Sequence, residues 1–523
     1  MYLVAKQPPM IGSTRFRHRF GSILFVLLPM HLSDTLLQST EALTLPISSR
    51  RPCTTLPIPG GSSSFFRHST HKHDSVLCYS TREPKPDTTN DSGESSLAES
   101  ISRSYAEKET DGVVELATTS SLLTDLSVDI EDDLIPAILE ASGGRKGIVA
   151  SIMNAMIGSG CHFIDETKTK AGTTPGLVSD RVLSLMEGLF DAADVTPDIV
   201  TYSLAYEALS KDDPDDTDGL ADSILETAER SSKKIAGGKR RKLLASSRRK
   251  VTSSFSDAED DLRELLGADF EVLLETDGFA VVNKPSGVPC FHARTTTAGK
   301  IKRGKGKKKK GKKGQQQNEN KANDRLPSDV SLEDALVSCN VPLSTLNPEA
   351  LGLVHRLDRG SSGCLILAKT NELHARLVSE FFLRRTTKQY VALVRETQAS
   401  SISKKGSIDH AVGGRSARSD YQLLERYRSD GDDAAMVGFE IFTGRKHQIR
   451  VHAAEVLGSP VWGDPLYGAG DGGPNTKPPQ QERIFLHASR LKIPVLGVDV
   501  ESPVPSWWES TLSTFGEKNE TKD

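Results

Sequence analysis

Cys364-Leu-Ile-Leu-Ala368 is a continuous apolar run, reads as a buried strand and commits this part of the chain to a sheet. The stretch feeding it, Leu351-Gly-Leu-Val-His-Arg-Leu-Asp-Arg-Gly-Ser-Ser-Gly363, sets one carboxylate, Asp358, between His355-Arg356 and a Gly/Ser turn. Such a carboxylate lies in a loop at the edge of the sheet. Flanking arginines favour its charged form, and a charged carboxylate in a pocket can act as a nucleophile or a base. Local chemistry by itself favours a plainer role, an Asp that caps the turn by accepting backbone N–H groups.

Around this block the chain alternates short apolar strands with turns from about Asp269 onward. Phe279-Ala-Val-Val-Asn283 is a strand ended by the turn Lys284-Pro-Ser-Gly287. Leu373, Leu377 and Phe381 recur at helical spacing, and Lys388-Gln-Tyr-Val-Ala-Leu-Val394 reads as a strand. A third block is Phe442-Thr-Gly-Arg-Lys-His-Gln-Ile-Arg-Val-His452. Here and just beyond, Ile449, Ala453 and Val456 mark one face of a helix that Gly458 ends. His447 and His452 are five residues apart and do not share a helical face, which argues against a zinc site. Trp462-Gly-Asp-Pro-Leu-Tyr-Gly468, Leu486-His-Ala-Ser-Arg-Leu491 and Pro505-Ser-Trp-Trp508 complete the region.

His355-Arg-Leu-Asp358 with Ser362-Gly363 and Ala368-Lys369, then Tyr390 in its strand, then Thr443-Gly-Arg-Lys-His-Gln-Ile-Arg450 resemble, in order, the motifs of the RluA-like RNA pseudouridine synthases. The resemblance covers about residues 270–510. It implies an α+β fold, a mixed and mainly antiparallel sheet with flanking helices and an active cleft across it. It also implies that Asp358 is the catalytic residue, that Arg356 lies near a flipped nucleotide, that Tyr390 stacks on the target base, and that Arg450 pairs with Asp358. Stacking is suited to that task because every base has a π-face. Taken alone, Tyr390 fits a half-buried strand position and Arg450 a surface helix charge. Family members usually carry Asp-Thr where this chain has Gly360-Ser361, so a hydroxyl is kept and a carboxylate lost. The helical middle of the chain stands where many members carry an S4-type RNA-binding domain.

The expected reaction isomerises uridines in RNA (organellar rRNA or tRNA) to pseudouridine. It breaks the C1′–N1 bond, turns the base and joins C5 to C1′, after the nucleotide is extruded from its stack. No redox step or external group is needed, so neither cofactor nor metal is expected, and the partner is RNA. The alternative is an RNA-binding or RNA-chaperone protein whose synthase domain is catalytically idle.

The rest of the 523 residues is read from composition. Hydrophobic residues are 36% of the chain, which points to sizeable disordered stretches. The net charge of -4 conceals separate acidic and basic segments. Residues 1–110 read as a targeting leader and disordered region. The first 73 residues hold two acids and eight Lys or Arg, and Arg15, Arg17 and Arg19 precede the apolar run Ser22–Leu28. A signal-like core followed by acid-poor Ser/Thr/Arg sequence resembles the two-part leaders of algae with complex plastids. This favours a plastid, with the mitochondrion as alternative, and no stable membrane association once the leader is removed.

Residues 111–235 read as helical, with Pro197-Asp-Ile-Val-Thr-Tyr202 resembling the opening of a pentatricopeptide repeat and Ala221–Arg230 its second helix. A helical accessory region with no base-reading role fits equally well. Residues 236–268 read as a basic linker, 294–326 as a disordered Lys-rich insertion in the 269–510 catalytic domain, and 511–523 as a tail. Ten of the fifteen residues from Lys300 to Gly314 are Lys or Arg. The six cysteines fit no zinc spacing and are expected to be reduced thiols.

Overall fold

The computed structural model describes residues 97–106, 120–167, 176–212, 219–235, 254–292, 330–397, 400, 402–428, 433–468, 483–513 and 515. The leader up to residue 96, the basic segment 239–250 and the Lys-rich run 300–313 lie outside the described residues.

The C-terminal half is built on β1 (Glu271–Glu275), β2 (Phe279–Lys284), β3 (Ser362–Ala368), β4 (Thr387–Glu396), β5 (Lys405–Asp409), β6 (Arg418–Tyr427), β7 (Asp433–Ile441), β8 (Leu486–Ile493) and β9 (Val498–Glu501). These strands form one sheet in the order β1-β2-β3-β8-β4-β7-β6-β5, with β9 added against β8. Among the described residues β3 with β8 is the parallel pair and the other pairings are antiparallel. This is the mixed, mainly antiparallel sheet that the motifs imply. Every residue of β3 is buried, as its unbroken apolar run requires.

The parallel pair is short, Ser362 with His487 and Gly363 with Ala488. Gly363 has φ +114, and a Cβ there would stand 2.6 Å from the Ala488 nitrogen. The glycine is therefore set by the approach of a neighbouring backbone. Beside it the Ser362 hydroxyl and His487 Nδ1 are 2.9 Å apart, and His487 Nε2 meets the Ser502 carbonyl at 3.0 Å. Burial pushes the His487 pKa down to about 4, so the ring is neutral and pins β3 to β8.

Residues read as linker contribute to this core. Phe255, Leu262 and Leu266 are buried with Phe270, Val282, Leu336 and Leu365. Leu262 and Leu266 lie one turn apart on the helix Glu259–Leu266, hidden in a sequence otherwise rich in charge. The Glu275 carboxylate accepts the Phe255 and Ser256 N–H groups at 2.9 Å each and pairs with Lys369 at 3.0 Å. Residues 254–268, read as the end of the basic linker, thus belong to this core, and 236–253 lie outside the described residues.

The helical half comprises α1 (Leu97–Ala106), α2 (Ser120–Thr124), α3 (Ile135–Ser142), α4 (Lys146–Thr167), α5 (Leu177–Ala193), α6 (Ile199–Asp212) and α7 (Leu220–Ile235). The Asp198 carboxylate caps α6 by accepting the Thr201 N–H at 2.9 Å, and the Thr201 hydroxyl donates to Asn154 on α4 at 2.7 Å. Every residue of α6 from Thr201 to Leu209 is buried. Helix α6 is enclosed by α4, α5 and α7 and, across the sequence, by Asn371–Phe382 of the C-terminal half. That enclosure buries the first helix of the pentatricopeptide-like segment from Thr201 to Leu209, while its second helix keeps Asp222, Ser223, Glu226 and Arg230 exposed. Lys146–Asp165 of α4 is long and apolar enough to cross a membrane, but 67% of it is buried as a core helix.

The Gly363→Ala variant is expected to lose at least about 2 kcal/mol of stability, read by urea denaturation, because the left-handed backbone and the Ala488 contact both resist a methyl group.

Candidate active site

The loop Leu353–Ser361 carries Asp358 and is fixed from three sides. His355 Nε2 accepts the Ile366 N–H at 3.1 Å, and its ring stacks on Phe381 at 4.6 Å. Burial, with Lys388 nearby, pushes the His355 pKa down to about 3, so it stays neutral and can keep accepting that bond. The turn Lys284–Gly287 closes on the loop from below. Lys284 is fully buried, and its Nζ donates to the carbonyls of Pro285 (2.7 Å), Val288 (2.8 Å) and Arg359 (3.4 Å). The Gly287 N–H donates to the Arg359 carbonyl at 2.8 Å, and the Ser286 hydroxyl donates to the Gly360 carbonyl. Burial drives the Lys284 pKa down to about 8, opposed by Cys290 and by Asp358. The lysine read only as part of a turn is a clamp on the Asp358 loop.

The opposite wall is Thr443-Gly-Arg-Lys-His-Gln-Ile-Arg450. Gln448 is buried and bonded at both ends. Its carbonyl accepts the Thr443 hydroxyl at 2.6 Å, and its amide donates to Arg418 O at 3.0 Å and Ser419 Oγ at 2.9 Å. This fixes the first turn, Gln448–Val451, and aims Arg450 and His447 toward Asp358. A π-turn, His452–Val456, comes next. It inserts one residue into the helical repeat, so Leu457 takes the core position and Val456 is left 37% exposed. The expected apolar face of Ile449, Ala453 and Val456 holds only for its first two members. His452 is buried against Ser419 and His410, away from His447 in the cleft. Among the described residues no group of three or more His, Cys, Asp or Glu is placed to hold a metal. The described cysteines, Cys161, Cys290, Cys339 and Cys364, are free thiols.

Arg450 is 5% exposed. Its Nη1 donates to Asp358 Oδ2 at 3.2 Å, while Nε and Nη2 fork onto Asp464 at 2.6 and 2.8 Å. Asp464 also accepts the Leu466 and Tyr467 N–H groups, at 2.9 and 3.2 Å. Burial opposes both charges. It is outweighed on Asp464 by Arg450 and the two N–H groups, which hold the carboxyl below its ordinary value. On Arg450 the two carboxylates outweigh it and raise the guanidinium further. Gly463, at φ +78, lets the chain turn into Asp464 where a Cβ would press on the Arg483 carbonyl. The sequence motifs do not single out Asp464. Its signal is the buried Arg450, which needs a second carboxylate.

Asp358, Arg356 and Tyr390 line one cavity of about 230 Å³, together with Ser361, Lys446 and His447 among others. Arg450 stands behind Asp358. Arg356 is exposed, and its guanidinium lies 5.2 Å from the Phe291 ring centre. Tyr390 is half-buried on β4, and burial, then Asp358, raises its phenol pKa. Where the family usually carries Asp-Thr, the Gly360 carbonyl is bonded to Ser286 and Ile484, and the Ser361 hydroxyl is buried without a hydrogen-bond partner among the described residues.

Residues 278–455 match the RNA pseudouridylate synthase family. An uncharacterized RNA pseudouridine synthase of Zymomonas mobilis is 34% identical over 169 residues, 29% of this chain and 73% of its own. The chain belongs to the RNA pseudouridylate synthase family, in its RluA-like class. Ribosomal large subunit pseudouridine synthase D of Pseudomonas aeruginosa is 34% identical over 203 residues, 33% of this chain and 59% of its own. RNA pseudouridine synthase 2, chloroplastic, of Oryza sativa is 29% identical over 224 residues, 38% of this chain and 49% of its own. The chain thus spans about half to three quarters of the length of these family members.

Replacing Asp464 by Asn should leave Arg450 short of a buried counter-charge. A loss of about 3 kcal/mol in unfolding free energy is expected. The remaining folded protein should show weakened activity, since the guanidinium that holds Asp358 is released.

Proposed function

We propose that the protein is an RNA pseudouridine synthase that isomerises specific uridines in organellar rRNA or tRNA. Asp358 is its catalytic carboxylate. The observation that carries this reading is a family-matched cavity whose Asp358 is bonded to a buried, doubly paired Arg450. In this reading Arg356, exposed at the mouth, contacts the extruded nucleotide or the strand it leaves. Tyr390 offers its ring to the base, and Asp358 acts at C1′. Arg450 fixes the orientation of the carboxylate before substrate arrives, so no reorganisation is needed at the reacting carbon. The isomerisation uses only groups of the chain and the RNA.

The acid-poor leader supports an organellar location, and the plastid is favoured because a rice relative carries the name chloroplastic. The names of bacterial relatives as ribosomal large subunit synthases support rRNA as substrate class.

Pseudouridine mapping of organellar RNA from cells carrying wild-type protein or the Asp358→Asn variant tests the proposal. One or a few modified sites should vanish in the variant while protein level and location are unchanged. An identical map in both cells would refute it. On an RNA fragment spanning such a site, Tyr390→Ala is expected to lower kcat/KM by about 5- to 150-fold, the equivalent of ~1–3 kcal/mol of stacking. Tyr390→Phe, which keeps the ring, should stay close to wild type.

A further inference from the structure

Pseudouridine formation contains a proton transfer that the roles above leave unassigned. When C5 of the detached base bonds to C1′, C5 becomes tetrahedral and still carries its hydrogen. The product requires that hydrogen to leave as a proton. The C5–H electron pair restores the C5–C6 double bond, the C6–N1 π pair moves to N1, and N1 gains a proton. The net change is one proton moved from C5 to N1, with no oxidant or reductant. Once C5 and C1′ are joined, the departing hydrogen is two bonds from the carbon that Asp358 addresses.

Among the described residues lining the cavity, Asp358 and His447 are the side chains that accept a proton in their ordinary neutral-pH forms, whereas Tyr390 and Lys446 must first lose one. Asp358 Oδ2 is occupied by Arg450. His447 Nε2 lies 3.7 Å from Asp358 Oδ1, too far for a hydrogen bond, so the nitrogen and the carboxylate face the same space without being joined. The other ring nitrogen is turned away from the cavity. His447 Nδ1 is 3.2 Å from the Tyr467 hydroxyl, and the rings meet edge to face at 5.8 Å. Tyr467 is itself held through its N–H by Asp464 and lies under the Arg450 guanidinium. With Nδ1–H donated to the phenol oxygen, Nε2 presents its lone pair to the cavity. The backbone is specialised for this placement. His447 has φ 61 and ψ 21, a left-handed conformation in a residue that is not glycine. Such conformations persist where surrounding structure enforces them.

Resting on the pseudouridine synthase reading, we propose that His447 is the base of the final step, taking the C5 proton on Nε2 and returning it to N1. A neutral imidazole is required, and the site provides one. Burial lowers the His447 pKa, Asp358 opposes this, and Arg450 and Lys446 lower it further. Tyr467 and Asp464 complete the titratable groups around the ring. Imidazole can both accept and return a proton near neutral pH.

The test uses full-length protein and a transcript spanning a site lost in the Asp358→Asn map, made with uridine bearing either protium or deuterium at C5. His447→Asn suits the left-handed backbone, because Asn tolerates positive φ better than most residues. His447→Gln provides a second variant, and thermal melting and RNA affinity report integrity. Both variants should turn over about 10²-fold more slowly than wild type. Deuterium should slow them by a larger factor than it slows wild type, because loss of the C5 proton has become limiting. Two results would overturn the role: turnover at the wild-type rate, or slower turnover with no larger deuterium effect, which would make His447 a positioning residue. Wild-type protein that forms no pseudouridine on the transcript would instead sink the activity on which the role rests.

Discussion

Arg450 binds two carboxylates at once, and the active loop depends on how differently they are placed. Asp464 is fully enclosed and engages the guanidinium through both oxygens, whereas Asp358 is 18% exposed at its side chain and receives one bond at 3.2 Å. The buried pair sets the plane of the guanidinium, and its remaining nitrogen then fixes Asp358. A buried cation with a single partner would be held less well and would carry a larger desolvation penalty. The fork also reaches outward. Asp464 gathers the N–H groups of Leu466 and Tyr467, so the segment beside the cleft and the ring against His447 are both set by the same carboxylate.

The second constraint is the backbone of the Asp358 loop, whose carbonyls are taken up by groups distant in sequence. Arg359 O receives Lys284 Nζ and the Gly287 N–H, and Gly360 O receives Ser286 and Ile484. A short irregular segment at a sheet edge would otherwise leave these groups to water and move with it. Lys284 is an unusual choice, since a fully buried ammonium is costly. Burial lowers its pKa to about 8, which still leaves the ammonium the majority form at physiological pH. The same Lys284 neighbours Asp358 electrostatically, so the clamp also contributes positive potential under the carboxylate.

Much of this is legible from the chain. β3 and β4 arise from apolar runs that have no other use, and Asp358, Tyr390 and Arg356 come together because motifs that are far apart in sequence converge at one end of the sheet. The features that the sequence hides share a physical character. Asp464 and Lys284 are polar residues whose role exists only once burial is known, because sequence alone does not distinguish a solvated charge from one enclosed with a partner. The π-turn at His452–Val456 displaces Val456 from the core for a similar reason. It depends on where the helix is pinned at Gln448 and His452, not on the periodicity of its side chains. Leu262, Leu265 and Leu266 are masked by their neighbours, since the other five of the eight residues Glu259–Leu266 are charged.

The helical half shows how burial reassigns a motif. In Pro197-Asp-Ile-Val-Thr-Tyr202 the Asp caps the helix and the Thr ties it to Asn154. Both polar residues that make the segment suggestive are consumed by its own packing. Against it lies the helix Asn371–Phe382 of the C-terminal half, whose Ser379 hydroxyl donates to the Ser203 carbonyl at 2.9 Å. Arg385, just beyond that helix, pairs with Asp165 at 2.6 Å, and Lys211 bridges Asp165 and the buried Glu207 at 2.9 and 2.7 Å. Opening this contact would break the Arg385–Asp165 pair and expose the faces packed across it, while Glu207 would keep Lys211 and Glu380 would keep Arg385 within their own halves. The helix so braced carries Phe381, on which His355 stacks, and it leads directly into β4 and Tyr390. The helical layer therefore bears on the cleft through the scaffold under His355 and Tyr390, a mechanical connection that needs no contact of its own with RNA.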